Sequence, residues 1–173
     1  MGGERRPDNP DRTIGRLASA QGGVVSRRQL KEHDVGSGAI DSRLALGRLV
    51  CVPGHRGVLA VGHTARGPHT ALWAAHLALG PGSVVSHRSA AARLELLPGP
   101  TRVELTARTG KRRRTALVLH RTDWLPSSHV VKLEGLPVTT VARTLLDLGA
   151  VVPPRRVEQA FDRADIMRLL EPS

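Results

Sequence analysis

Five cations crowd one short stretch of this chain, ARTGKRRRT, which holds Arg108, Lys111, Arg112, Arg113 and Arg114. Side chains of this kind at this density suit polyanions, because each Lys or Arg that meets a phosphate releases a condensed counterion. Two smaller basic groups suit the same chemistry: Arg27-Arg28 and the turn-like Pro53-Gly54-His55-Arg56-Gly57. Catalytic chemistry is poorly provided for. There is no G-x-S-x-G elbow and no H-E-x-x-H, and Gly110-Lys111 fails as a Walker A loop because Leu105 stands where its first glycine belongs. Glu104 and Asp123 suggest carboxylates for a nuclease metal, but no Asp or Glu followed at the second position by Lys comes after them, and the eight histidines are scattered without ligand spacing. The expectation is therefore a binding protein and not an enzyme, with no cofactor and no metal.

Composition points the same way. The 173 residues carry 26 Lys and Arg against 15 Asp and Glu, a net charge of +11, divided as +4 over residues 1–62 and +7 over 63–173. A balance this basic favours nucleic acid over an acidic small molecule. Aromatic residues are 2% of the chain, with no Tyr, too few for the stacking platforms that hold single strands, so double-stranded DNA is the expected partner. A lone Cys51, the polar start MGGERRPDNPDR and the lack of any apolar run of about 20 residues predict a cytoplasmic protein with no membrane partner.

The elements that position the cations follow from caps and periodicity. Residues 1–10 read as a mobile arm. Ile14, Leu17 and Ala18 recur at helical spacing until Gly22-Gly23, and Ser26 caps a short second helix, RRQLKEH, anchored by Leu30. Gly36-Ser37-Gly38 supplies a turn and the next cap, and Ile40 and Leu44 form the inward stripe of a third helix ending near Gly47. Leu49–Val52 and Val58–Val61 then pair as a hairpin. This order predicts a winged helix-turn-helix at 11–62. With Ile40 and Leu44 inside, Ser42 and Arg43 are placed to meet base edges, Arg43 on guanine, while Asp41 repels phosphate. Arg27, Arg28, Ser37, Arg48, His55 and Arg56 complete this candidate DNA surface, with Lys111, Arg112 and Arg113 as a second contact. The alternative is a three-helix domain whose edge hairpin packs on protein, with the basic stretch serving only as a solvated tip.

The region 63–173 reads as α/β. TALWAAHLALG (70–80) is apolar all round, predicting a buried helix with His76 as a core residue. VVSHRSAAARLELL predicts a strand, a cap at Ser86 and a helix through Leu96 or Leu97. RVELTAR and TALVLHR predict an antiparallel hairpin whose tip carries the five cations. VVKLEGLPVTT gives two more strands, Thr140 caps VARTLLDLG, and Pro153-Pro154 opens a last helix with Val157, Ala160, Phe161, Ala164 and Met167 on one buried stripe.

Four stretches together, RLASAQGGVVSRRQL, GRLVCVPGHRGVLAVG, VVSHRSAAARLELL and GLPVTTVARTLLDL, resemble the abortive-infection type IV toxin-antitoxin system antitoxin family (AbiEi-like) in its actinobacterial form, from about Asp11 to Leu170. The resemblance implies an α+β protein: an operator-binding, autoregulating winged helix followed by an antitoxin-like domain that opposes a nucleotidyltransferase toxin. Many similar chains continue into a nuclease-like domain, so the alternative is the N-terminal part of such a protein, or an interaction module that does not bind DNA.

Overall fold

The computed structural model describes residues 9–62, 67–108 and 117–170. Among them are seven α-helices and two β-sheets, an α+β protein. No helix among the described residues is long and apolar enough to cross a membrane. The chain divides into two compact units, residues 1–78 and 79–173.

In the first unit α1 (Pro10–Ser19) starts at Asn9, whose side chain accepts from the Asp11 amide at 2.9 Å. Strand β1 (Val24–Ser26) follows, a strand that the Gly22-Gly23 stop hides in the sequence. Helix α2 (Arg27–Glu32) is fixed by a full capping box: the Gln29 amide donates to Ser26 Oγ at 3.1 Å, and the Ser26 amide donates to Gln29 Oε1 at 3.0 Å. Helix α3 (Ser37–Ala45) begins after Gly36, so Ser37 is its first residue and not its cap. Both α2 and α3 end in six-residue closures. The Val35 amide donates to Leu30 O at 2.8 Å with Asp34 at φ 61°, and the Arg48 amide donates to Arg43 O at 2.9 Å with Gly47 at φ 68°. Strands β2 (Leu49–Cys51) and β3 (Val58–Val61) pair antiparallel, and β1 adds to the other edge of β3, giving the order β1-β3-β2. Ile14, Ala18, Val25, Leu30, Val35, Ile40, Leu49 and Leu59 form one core between the helices and this sheet.

The division at 78/79 differs from the break at 62/63 that composition suggests. All but the last residue of α4 (Pro68–Leu79) lies in the first unit, where Thr70 Oγ1 donates to Gly22 O at 2.9 Å. This approach needs a glycine: Gly22 has φ +62°, and a Cβ there lies 2.9 Å from the His69 ring and 3.2 Å from Thr70 Cα. His76 of α4 is buried, with the Trp73 ring edge-on at 5.7 Å.

The second unit is built on a mixed sheet in the order β6-β5-β4-β8-β7: β4 (Ser83–Val85), β5 (Val103–Ala107), β6 (Leu117–Arg121), β7 (Val130–Leu133) and β8 (Leu136–Thr139). Strands β7 and β8 form an antiparallel hairpin through Glu134-Gly135. Strands β5 and β6 correct the expected hairpin: they run parallel, with Val103 opposite Leu117 and Ala107 opposite Arg121. Parallel pairing needs no tight turn between the two strands. Helix α5 (His87–Arg93) stops short of Leu96 because Glu95 takes φ 60° and the Leu96 amide closes onto Ala91 O at 2.8 Å. Helix α6 (Val141–Leu148) is capped by Thr140, as its sequence predicts. Helix α7 (Pro154–Ile166) corrects the expected stripe: Ala160 and Ala164 are fully buried against α6, but Phe161 stands 53% exposed. Small residues at the contact bring the two helices close, and that proximity leaves no room for the ring.

Gly22→Ala is expected to lower stability by roughly 2 kcal/mol, since it adds left-handed strain to a clash with backbone. Gly57→Ala, with φ +79° and open space around its Cβ, is expected to cost about half as much. Urea unfolding midpoints of the two variants check the difference.

Candidate functional site

In the first unit the α2 start, the first turns of α3 and the hairpin tip converge through two contacts. The Arg27 amide donates to Gly57 O at 2.8 Å, which ties the tip between β2 and β3 to the helix N-terminus. Arg27 Nη2 lies 3.0 Å from Asp41 Oδ1, which ties α2 to α3. Around this junction Arg28 and Arg56 are exposed, with Arg28 reaching Glu32 at 3.5 Å along its own helix. Along α3, Ser37, Ser42, Ala45 and Leu46 face solvent, and exposed Arg48 follows the helix end. The exposed cations and hydroxyls of this surface suit phosphate contacts more than base reading.

Three expected placements differ. Arg43 is drawn off the outer face: its Nε sits 2.7 Å from Asp11 Oδ1, its Nη1 donates to Ala39 O at 2.8 Å, and its side chain is 15% exposed. The hydrogen bond from Arg43 holds the Asp11 carboxyl below its ordinary range and raises the guanidinium in turn. Arg43 thus clamps α3 to α1 and is not posed for a guanine edge. Asp41 is engaged by Arg27 and offsets that cation. His55 folds back into its loop, Nδ1 donating to Pro53 O at 3.0 Å with Nε2 buried, so it does not reach outward to a backbone phosphate. Lys111, Arg112 and Arg113 lie outside the described residues.

The second unit holds a polar cluster that sequence reasoning missed. Parallel pairing sets Thr106 opposite His120, and the strand pleat turns Glu104, Thr106 and His120 to one face. Glu104 is fully buried and bears three contacts: an ion pair with Arg88, His120 Nε2 at 3.1 Å, and the Ser89 hydroxyl, which accepts from its amide at 2.9 Å. Ser86 Oγ accepts from Thr106 Oγ1 at 2.8 Å and lies 2.9 Å from His87 Nδ1. His87 opens α5 at φ 52°, and its ring stacks on His120 with centroids 3.4 Å apart and planes 11° from parallel. From α6, Arg143 Nε pairs with Asp147 Oδ1 at 2.8 Å, one turn apart and both buried. Asp147 Oδ2 lies 3.9 Å from His87 Nδ1 and is buried without a hydrogen bond. Arg143 Nη1 also reaches His129 Nδ1 at 3.4 Å and Trp124 O at 3.5 Å.

Burial, and then the neighbouring His120, push the His87 imidazole down to about 4 against the pull of Asp147 and Glu104. Burial pushes Glu104 up, but hydrogen bonds from His120 and Arg88 outweigh it and hold the carboxyl below its usual range. At neutral pH His87 is thus neutral beside an ionised Glu104. Nothing in the spacing of His87 and His120 announces this group, because only the strand pairing brings them together.

No family model matches the chain, and no curated protein matches it. Among solved structures the chain is similar to the RV2827C protein from Mycobacterium tuberculosis, at 19% identity over 96% of this chain and 78% of that one, with a TM-score of 0.49.

His87 titrates at about 6.5 when unfolded and about 4 when folded, so the unfolded chain takes up the proton first as pH falls. Its contribution is complete above about pH 7 and is lost progressively toward pH 4, about 3 kcal/mol at most. Urea midpoints of the full chain between pH 7 and 4 are expected to fall accordingly, and His87→Gln is expected to flatten that slope.

Proposed function

We propose that this chain is a DNA-binding, antitoxin-like transcriptional autoregulator of the abortive-infection type IV class, and that its first unit is a winged helix-turn-helix. The observation that carries this reading is the Arg27-to-Gly57 backbone bond, which sets the hairpin tip with Arg56 beside the N-terminus of α2 while α3 leaves its outer residues exposed. In this reading α3 enters the major groove, the tip between β2 and β3 is the wing, and Arg28, Arg48 and Arg56 meet phosphates of the operator. Base readout through Ser37 and Ser42 is sparse, so affinity is dominated by charge. The second unit leaves Leu146, Phe161 and Ile166 exposed, which suits a protein partner, here a nucleotidyltransferase toxin.

Fluorescence anisotropy with duplex DNA from upstream of the gene, at two salt concentrations, tests the DNA half. The Arg48→Ala/Arg56→Ala variant is expected to lose roughly tenfold or more in affinity and to flatten the log–log salt slope by about two. Affinity and slope equal to those of the parent protein sink the assignment. For the antitoxin half, co-expression with a nucleotidyltransferase encoded beside the gene is expected to rescue growth. Ile166→Glu is expected to lose that rescue while DNA affinity stays unchanged.

A further inference from the structure

We propose that the buried cluster of the second unit is a transition-metal site in which His87, Glu104 and His120 hold a divalent cation of the zinc class. Two imidazoles and a carboxylate are a donor set that suits Zn2+ and its first-row neighbours, with the remaining position taken by water. The three donors come from three different elements, the start of α5, β5 and β6, and one ligand atom from each lies within 4.8 Å of the others. Ligands on a tetrahedral zinc with bonds of about 2.0–2.1 Å stand roughly 3.3 Å apart, so the cluster closes by about 1.5 Å at most to take the ion.

Asp147 supplies a second, independent sign. Its Oδ2 is buried, has no hydrogen bond and lies 3.9 Å from His87 Nδ1, a nitrogen that in this metal-free arrangement sits 2.9 Å from Ser86 Oγ. A carboxylate behind a histidine is the usual support of a metal-bound imidazole: it takes the proton on the nitrogen that does not bind metal and fixes the ring. A buried carboxylate oxygen left unbonded is costly, and a metal on the far nitrogen of His87 turns the Nδ1–H into a stronger donor toward which this oxygen can close. Arg143 holds the other oxygen and so orients the group.

Charge is balanced by exchange. Without metal, Arg88 is the cation on Glu104, yet its side chain is 42% exposed while Glu104 is fully buried. Arg88 can therefore swing into water and give up its oxygen to the incoming ion. The stacked rings also have to part, because imidazoles in parallel planes 3.4 Å apart cannot aim their lone pairs at one atom. His120 is the freer ring at 22% side-chain exposure, and rotation about its χ2 brings a nitrogen toward the ion.

The test uses the full chain, stripped with chelator and titrated with Zn2+ by calorimetry, with Co2+ absorption as a report on coordination. One zinc per chain is expected, with an intense ligand-field band for cobalt. His120→Gln is expected to weaken binding at least tenfold, and Asp147→Asn by roughly tenfold through the support of His87. Arg88→Ala removes the cation that competes for Glu104 and is expected to bind zinc several-fold more tightly. His33→Gln, on an exposed residue of the first unit, is expected to bind as the parent does. No zinc uptake at micromolar concentration, uptake indifferent to His120→Gln, or weaker binding in Arg88→Ala overturns the proposal. None of these outcomes depends on whether the first unit binds DNA.

Discussion

A carboxylate with no exposure to water governs the second unit. Glu104 sits in β5 and stays ionised, which its burial opposes, so the fold must bring cations and donors to it. Arg88 reaches it from α5 and His120 from β6, while the Ser89 hydroxyl accepts from the Glu104 backbone amide. Only parallel pairing of β5 with β6, in the observed register, brings His120 to the same face two residues beyond the position opposite Glu104. A slip of one residue points His120 to the other face and leaves a buried charge short of a partner. The ion pair, the ring stack and the approach of Asp147 all descend from that placement.

In the first unit the cations are divided between work inside the fold and work outside it. Arg43 is spent on Asp11 and the Ala39 carbonyl, Arg27 on Asp41 and Arg28 on Glu32 along its own helix, while Arg48 and Arg56 stand exposed. Surface pairs of this kind add little stability beside the shared hydrophobic core of the three helices. The helices are short, so caps and six-residue closures carry much of their definition: the Ser26–Gln29 box starts α2, and Gly47 ends α3 so that Arg48 emerges beside β2. Function in this region thus rests on backbone geometry as much as on the count of basic residues.

Much of the element order was legible because the signals are local. Ser26, Thr140 and Gly47 act on amides and carbonyls within one turn, and the Ile40–Leu44 stripe reports a face at helical spacing. The β5 and β6 segments were legible as strands but not in direction, since alternation along a strand is the same for parallel and antiparallel partners. Phe161 lies on the apolar stripe of α7 by spacing, yet close packing through Ala160 and Ala164 leaves it in water. Arg43 faces outward by helical angle alone, but Asp11, 32 residues earlier in the chain, draws it inward.

The sequence by itself determined the charge balance, the helix starts and stops, the short strands and the absence of familiar catalytic signatures, because these depend on composition or on neighbours within a few residues. Tertiary structure alone decided that Arg43 and Arg27 are drawn into ion pairs, that α4 lies almost wholly in the first unit, and that His87, Glu104, His120 and Asp147 meet. Those outcomes are set by pairing between residues far apart in sequence, where burial makes an unpaired charge expensive and no short-range pattern records the partner.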